Sequence, residues 1–430
     1  MKTSAPERHR LGPLGLLLLA ACAGGASDSG APGADGDDAS GDGGATEPSD
    51  EDLLRAAIAG EADAAETLDQ LTKKGGLPVE TASGTFLFAC LCGDGAWSIA
   101  GDHDDWAGAP MADAGGLWWA EVSVPAPDGS GYKFRDDSGA EPTWWADPLG
   151  RRFVWDAYGE LSLVRSSGAH LERYYGLSDG AGLLLPRDLQ VWVPAGPVTH
   201  LLIAHDGQNL FDPDPAPPAT SWFLDQSLPE GVLVVGIDNT PDRMWEYTPV
   251  EDELGGEVLG GGAAIYGDFV EDTVRPFIEG QYGAPPVRGL LGSSLGGVVS
   301  LSIADQHPGV YDMVLSLSGT VGWGSIGRDG PTIAEAYRGA GRRPTGIYLD
   351  SGGGGECWDA DGDGVPDDNP EARDNYCENA WLRDILADEL GYTFEEDLWH
   401  WHEPGAAHNE AAWAARVWRP LEIFKAQSGR

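Results

Sequence analysis

From Pro186 onward the chain alternates short apolar runs with amphipathic stretches, and that alternation leaves few folds open. DLQVWV, HLLIAHD, VLVVGID, VRGLL, DMVLSL, GIYLD and FEEDLWHW read as strands. Several are apolar throughout, as strands covered on both faces must be. Helical patterns lie between them, near 264–282, 296–306, 377–390 and 409–426. The alternation predicts a three-layer α/β domain with a parallel-rich sheet over 186–430.

One strand-to-helix junction carries chemistry. VRGLL runs into Gly292-Ser293-Ser294-Leu295-Gly296-Gly297 and then into the helical VVSLSIADQH. In a chain with 63 glycines a G-x-S-x-G match alone says little, but a match between an apolar strand and a helix is a nucleophile elbow. The turn is so tight that the positions two before and two after the serine must be tiny. Gly292 and Gly296 meet that need for Ser294, and Ser293 has no such flanks. The expected fold is an α/β-hydrolase with Ser294 as nucleophile.

The partners follow from chain order. The base is expected on the loop after the last strand. Among nine histidines His408 fits, after Glu403-Pro404-Gly405-Ala406-Ala407 and before a helix. His400 and His402 alternate on a strand and read as structural. The acid is expected after GIYLD, with Asp350, Glu356 and Asp359 as candidates. Glu356 is favoured because four glycines before it let the loop curl toward His408. For the oxyanion, Leu295 N–H opens the helix, and Gly207 and Gln208 lie on the early loop after HLLIAHD.

These residues resemble a known group. His205-Asp206-Gly207-Gln208-Asn209-Leu210-Phe211-Asp212, Val235-Gly236-Ile237-Asp238-Asn239 with Arg243 and Glu246-Tyr247, the Ser294 elbow, and Gly405-Ala406-Ala407-His408-Asn409-Glu410 with Trp413 look like the Putative esterase family. That family includes esterase D, enterochelin esterases, bacterial feruloyl and acetyl-xylan esterases and mycolyltransferases. The resemblance covers roughly 190–425 and implies Ser-His-acid catalysis through an acyl-enzyme. It implies a polysaccharide-linked acetyl or feruloyl ester as first choice of substrate. A ferric-siderophore trilactone, acyl transfer to a glycan, and a catalytically inactive glycan-binding protein are the alternatives. The departure is the acid loop, which runs on from Cys357 to Cys377 where many members have a short turn.

Within that insertion, Asp359-Ala360-Asp361-Gly362-Asp363-Gly364-Val365-Pro366-Asp367 resembles the calcium loops of EF-hands and thrombospondin type 3 repeats. Asp359, Asp361, Asp363, Val365 and Asp367 are the expected ligands of a structural Ca2+, and Pro370 replaces the usual twelfth-position glutamate. Cys357 and Cys377 flank the loop and are the natural disulfide pair, while the state of Cys90 and Cys92 stays open.

Upstream, 84–166 reads as short strands and turns, a small immunoglobulin-like β-sandwich. Ile99-Ala100-Gly101-Asp102-His103-Asp104-Asp105-Trp106, Trp118-Trp119, Tyr132-Lys133-Phe134-Arg135 and Asp147-Pro148 resemble the family 48 carbohydrate-binding module. Seven of the 17 tryptophans lie here, as a core or as a sugar platform. Residues 165–185 read as a connector and 51–76 as a short helical segment. The acidic, Gly- and Ser-rich 22–50 reads as a disordered tether. Residues 1–21 have a basic start and an apolar Leu11–Ala21 run, too short to span a bilayer. The run ends in Leu19-Ala20-Ala21-Cys22, which resembles a lipobox and implies lipidation of Cys22 and export to the cell envelope. A formal charge of −44 argues against nucleic acid as a partner. Oligomeric state is not legible.

Overall fold

The computed structural model describes residues 47–214, 220–367 and 374–428. All of these except Glu47 belong to one compact unit spanning 48–430. The signal segment, Cys22 and most of the tether lie outside the described residues.

The downstream half is built as its apolar runs dictate. Leu398–His402, Gly346–Ser351, Met313–Leu317, Val287–Ser293, His200–His205 and Val232–Ile237 lie side by side in that order, all parallel. Arg187–Val193 then joins antiparallel to Val232–Ile237. Alternate residues feed two cores. Leu201, Ile203, Leu233 and Val235 face one, with the helix Leu295–Gln306. Leu202, Ala204, Val232 and Val234 face the other, with Leu421 and Phe424 of the helix Trp418–Lys425. Apolar residues fill both parities because both faces are covered. The chain from Ala263 to Tyr282 is one helical stretch with a wider π-type turn at Val270–Val274.

The upstream half is a sandwich. One layer holds Val79–Glu80, Phe86–Cys90, Trp118–Val122 and Ala112–Asp113. Phe86, Phe88 and Cys90 meet Ile99, Tyr132 and Phe134 of the other layer. Leu87 and Ala89, on the opposite face, pack on Leu54, Leu68 and Leu71. The single helical segment expected over 51–76 is two helices, Asp50–Ile58 and Ala64–Lys73, capped by Ser49 and Asp63.

The connector expected over 165–185 contains a strand, His170–Leu177. It pairs with Arg152–Asp156 on one edge and with Arg187–Val193 on the other. The second sandwich layer and the hydrolase sheet are thereby one 14-stranded sheet. Its alternating HLERYYGL offers too few apolar residues to stand out as a strand. Cys90 and Cys92 are bonded to each other. The strand ends at Cys90, so strict alternation no longer fixes where Cys92 points.

Candidate active site

The parallel strands end on one edge, and the site is assembled there from the loops that follow them. Ser294 sits between the strand Val287–Ser293 and the helix Leu295–Gln306, with φ 55° and ψ −124°. A non-glycine residue held at positive φ is strained, a recurring feature of functional turns. Gly292 makes the turn possible, because a Cβ there would lie 2.3 Å from the carbonyl carbon and oxygen of Gly296. Gly296 is less constrained, since its Cβ would meet His205 Cβ and Asp206 Oδ2 at an ordinary 3.5 Å. The tight third position is Gly297, whose Cβ would come 2.4 Å from Ser316 Oγ.

His408 Nε2 is 2.9 Å from Ser294 Oγ. Its Nδ1 is 2.8 Å from Oδ1 of Asp374. The ring packs edge-on against Trp413 with centroids 5.0 Å apart. The loop Glu403–Ala407 is laced to the glycine run, Gly353 N–H donating to Ala406 O and Gly405 N–H to Gly353 O. His400 is half-buried, and desolvation pulls its pKa down to about 4. His402 contacts Gly353 O and stacks on Tyr376.

The carboxylate on His408 is therefore Asp374, and the expectation of Glu356 is corrected. Glu356 stands exposed on the outer part of the loop. The glycines do curl the chain back, but what they bring to the site is the backbone of Gly352, whose N–H donates to Asp374 Oδ2. Asp374 is 1% exposed. Its Oδ2 also accepts from Ser318 Oγ at 2.7 Å and from Arg416 Nη2 at 3.2 Å. Asp350 lies behind it, held by Arg416 and by Ser318 N–H. Burial raises the Asp350 pKa to about 6 against the pull of Arg416. Asp359, the third candidate, is exposed on the insertion.

The early loop lies beside the elbow. Asp206, at φ 58°, opens the single turn Gly207–Asn209. Asp206 is fixed by Arg243 at 2.7 and 2.8 Å and by Asn239 Nδ2 at 2.5 Å. Gly207 packs so closely on the next strand that a Cβ would sit 2.5 Å from the Gly236 carbonyl carbon. Gln208 turns its side chain inward, Oε1 accepting from Asn239 N–H. Leu295 N–H belongs to the first turn of its helix, where backbone donors have no intrahelical acceptor.

The insertion is closed by the Cys357–Cys377 disulfide. Asp359, Asp361 and Asp363 each offer a carboxylate oxygen within 4.8 Å of the others. Asp363 is tied to Ser325 Oγ. Asp367 folds back onto the loop start, Oδ2 accepting from Ala360 N–H at 2.7 Å. Among the described residues no helix is long and apolar enough to cross a membrane.

Comparison with known proteins bears on this arrangement. The chain is 32% identical over 123 residues to the uncharacterized protein YbbA of Bacillus subtilis (strain 168), a match covering 27% of this chain. The chain spans about half (47%) of the length of that curated relative. Among solved structures it is similar to an IroE-like serine hydrolase from Shewanella oneidensis (18% identity, 59% of this chain and 79% of the other, TM-score 0.42). It is also similar to enterochelin esterase from Shigella flexneri (15% identity, 79% of this chain and 92% of the other, TM-score 0.43). The family model described as Putative esterase matches residues 180–419, more than half of the chain and the whole span that carries Ser294, Asp374 and His408. The chain therefore belongs to the Putative esterase family and has its α/β-hydrolase fold.

Proposed function

We propose that the chain is a serine carboxylesterase with Ser294 as nucleophile, His408 as base and Asp374 as acid. The observation that carries this reading is the unbroken path from Ser294 Oγ to His408 Nε2 (2.9 Å) and from His408 Nδ1 to Asp374 Oδ1 (2.8 Å). An ionised Asp374 only accepts, so it keeps the ring proton on Nδ1 and leaves the Nε2 lone pair for the serine proton. Ser294 Oγ attacks the ester carbonyl as its proton passes to Nε2. The oxyanion forms beside Leu295 N–H and the Gly207–Gln208 turn. Nε2 then protonates the departing alcohol, and water releases the acyl group by the same route in reverse.

The substrate we propose is an acetyl or feruloyl ester on a polysaccharide. Trp144 and Trp145 are 43% and 51% exposed on the sandwich, with Trp106 beside Trp144 and the Arg135 guanidinium over its ring. Flat aromatic faces of this kind stack on sugar rings. A Ca2+ held by Asp359, Asp361 and Asp363 and a lipid anchor on Cys22 belong to the same proposal, the first ordering the acid loop and the second holding the enzyme at the envelope.

The test is labelling of the full chain with a fluorophosphonate probe and peptide mapping, with Ser294→Ala as control, followed by assay on p-nitrophenyl acetate, methyl ferulate, acetylated xylan and a catecholate trilactone. Labelling at Ser294 that is lost in the variant, with release of acetate or ferulate, is the expected result. A folded chain that takes no label would reassign it to glycan binding without catalysis, and turnover of the trilactone alone would replace the substrate.

A further inference from the structure

The Ser294 hydroxyl has a second neighbour besides His408. Thr320 Oγ1 lies 3.3 Å from Ser294 Oγ, and Thr320 N–H donates to the Ser294 carbonyl at 3.3 Å. The turn that carries Thr320 follows the strand Met313–Leu317 and is clamped by the distal limb of the insertion and by the helix Tyr376–Asp384 that continues from it. Asn375 Nδ2 donates to Ser318 O at 2.9 Å and to Thr320 Oγ1 at 3.0 Å. Asn379 Nδ2 donates to Gly319 O, and Gly322 N–H donates to Glu378 Oε2.

These bonds assign the protons. Ser318 O is a carbonyl and can only accept, so the Asn375 atom facing it is the NH2 group. Thr320 Oγ1 therefore accepts from Asn375, and its own O–H is free to donate. The acceptor within reach is Ser294 Oγ, whose own proton is directed at His408 Nε2.

We propose that Thr320 is a further catalytic residue, donating a hydrogen bond to Ser294 Oγ, and that Asn375 is the residue that positions it. The contact is long for two neutral hydroxyls and shortens when its acceptor gains charge. Charge reaches Oγ when the acyl-enzyme is hydrolysed. Water attacks the acyl carbon and its proton passes to His408 Nε2. The tetrahedral intermediate then collapses, the C–Oγ bond breaks, and the electron pair of that bond stays on Oγ. Nε2 returns the proton to Oγ. Thr320 keeps its own proton throughout and stabilises Oγ before it is reprotonated. The inserted segment thus supplies two adjacent groups to the site, Asp374 for the base and Asn375 for this hydroxyl.

The proposal rests on the serine-esterase reading, and the experiment separates the two. Acylation and deacylation rate constants are measured on p-nitrophenyl acetate for the full chain and for Thr320→Val, Thr320→Ser and Asn375→Ala, with unfolding temperatures alongside. Thr320→Val is expected to keep its burst amplitude while deacylation slows about tenfold or more. Thr320→Ser should stay within about twofold of the parent, and Asn375→Ala should slow deacylation without abolishing the burst. Thr320→Ala, which only removes atoms, replaces the valine variant if that one does not fold. Deacylation unchanged in Thr320→Val, or a loss in Thr320→Ser as large as in Thr320→Val, overturns the proposal, the second because the methyl group's packing would then be responsible. A parent chain without turnover overturns the esterase reading and this proposal together.

Discussion

Asp374 reaches His408 from inside a disulfide-closed loop: its Oδ1 is 2.8 Å from His408 Nδ1, and Cys377, just beyond it, is bonded to Cys357. The strand Gly346–Ser351 aims Asp350 toward the same place, yet Asp350 stops one layer short and is held by Arg416 instead. In the proposed triad the acid thus lies on the far limb of the insertion rather than at the strand end. Anything that loosens the insertion should therefore reach catalysis.

Opening the disulfide is the first case. A cross-link closing a loop of sequence separation 20 restricts the unfolded chain by about 3 kcal/mol. Cys357→Ser combined with Cys377→Ser should lower the unfolding temperature and reduce kcat on p-nitrophenyl acetate about tenfold. Full activity in that double variant would separate the loop's closure from the acid's position.

Calcium is the second. If Asp359, Asp361 and Asp363 hold the ion, 1 mM-scale Ca2+ should raise the unfolding temperature of chelator-treated protein by about 2 °C or more. Asp361→Asn should abolish the shift. Equal unfolding curves with EGTA and with Ca2+ would remove the ion from the account.

The elbow glycines should differ from each other. Gly292→Ala places a Cβ 2.3 Å from Gly296 backbone atoms, and activity and stability should both fall steeply. Gly296→Ala meets only ordinary contacts and should fold normally. Comparing their unfolding temperatures decides the point, and equal losses would contradict the geometry.

Asp238 gives a pH signature. Burial, with Asp188 adding to it, raises its pKa from 3.8 to about 8, and its Oδ1 is buried without a partner. Below the ordinary carboxylate range both folded and unfolded states are protonated. As pH rises toward 8 only the unfolded state ionises, so this group lowers stability progressively across that window. Asp238→Asn should raise the unfolding temperature by about 3 °C or more at pH 8.5 and leave it unchanged at pH 4. The same shift at both pH values would mean that packing, not ionisation, is responsible.

Much of this was legible in the sequence because the signals are local. An apolar run into Gly-x-Ser-x-Gly into a helix gives Ser294 its place, and a loop between the last strand and an Asn-capped helix gives His408 its own. Asp374 was not legible because its role is set by a long-range closure. It sits on the distal limb of an insertion, beyond an acidic stretch that offers nearer carboxylates, and it is brought back by the disulfide together with long-range bonds from Gly352, Ser318 and Arg416. The strand His170–Leu177 was missed for a related reason. Both its faces carry polar residues, since Glu172 and Arg173 are buried or half-buried in ion pairs with Arg152 and Glu160. The glycine rule at the elbow was half right. Gly292 is sterically required, whereas the tight downstream position is Gly297.

The central claim is that the insertion supplies the acid, and comparing Asp374→Asn with Glu356→Gln on one ester substrate tests it most directly. Replacing the acid of such a triad by its amide disfavours the required histidine tautomer and costs about 10^4 in kcat. The account predicts a loss of that order for Asp374→Asn, with the fold intact by circular dichroism, and a change of no more than about twofold for exposed Glu356→Gln. A collapse of kcat in Glu356→Gln with Asp374→Asn near the parent value would contradict it.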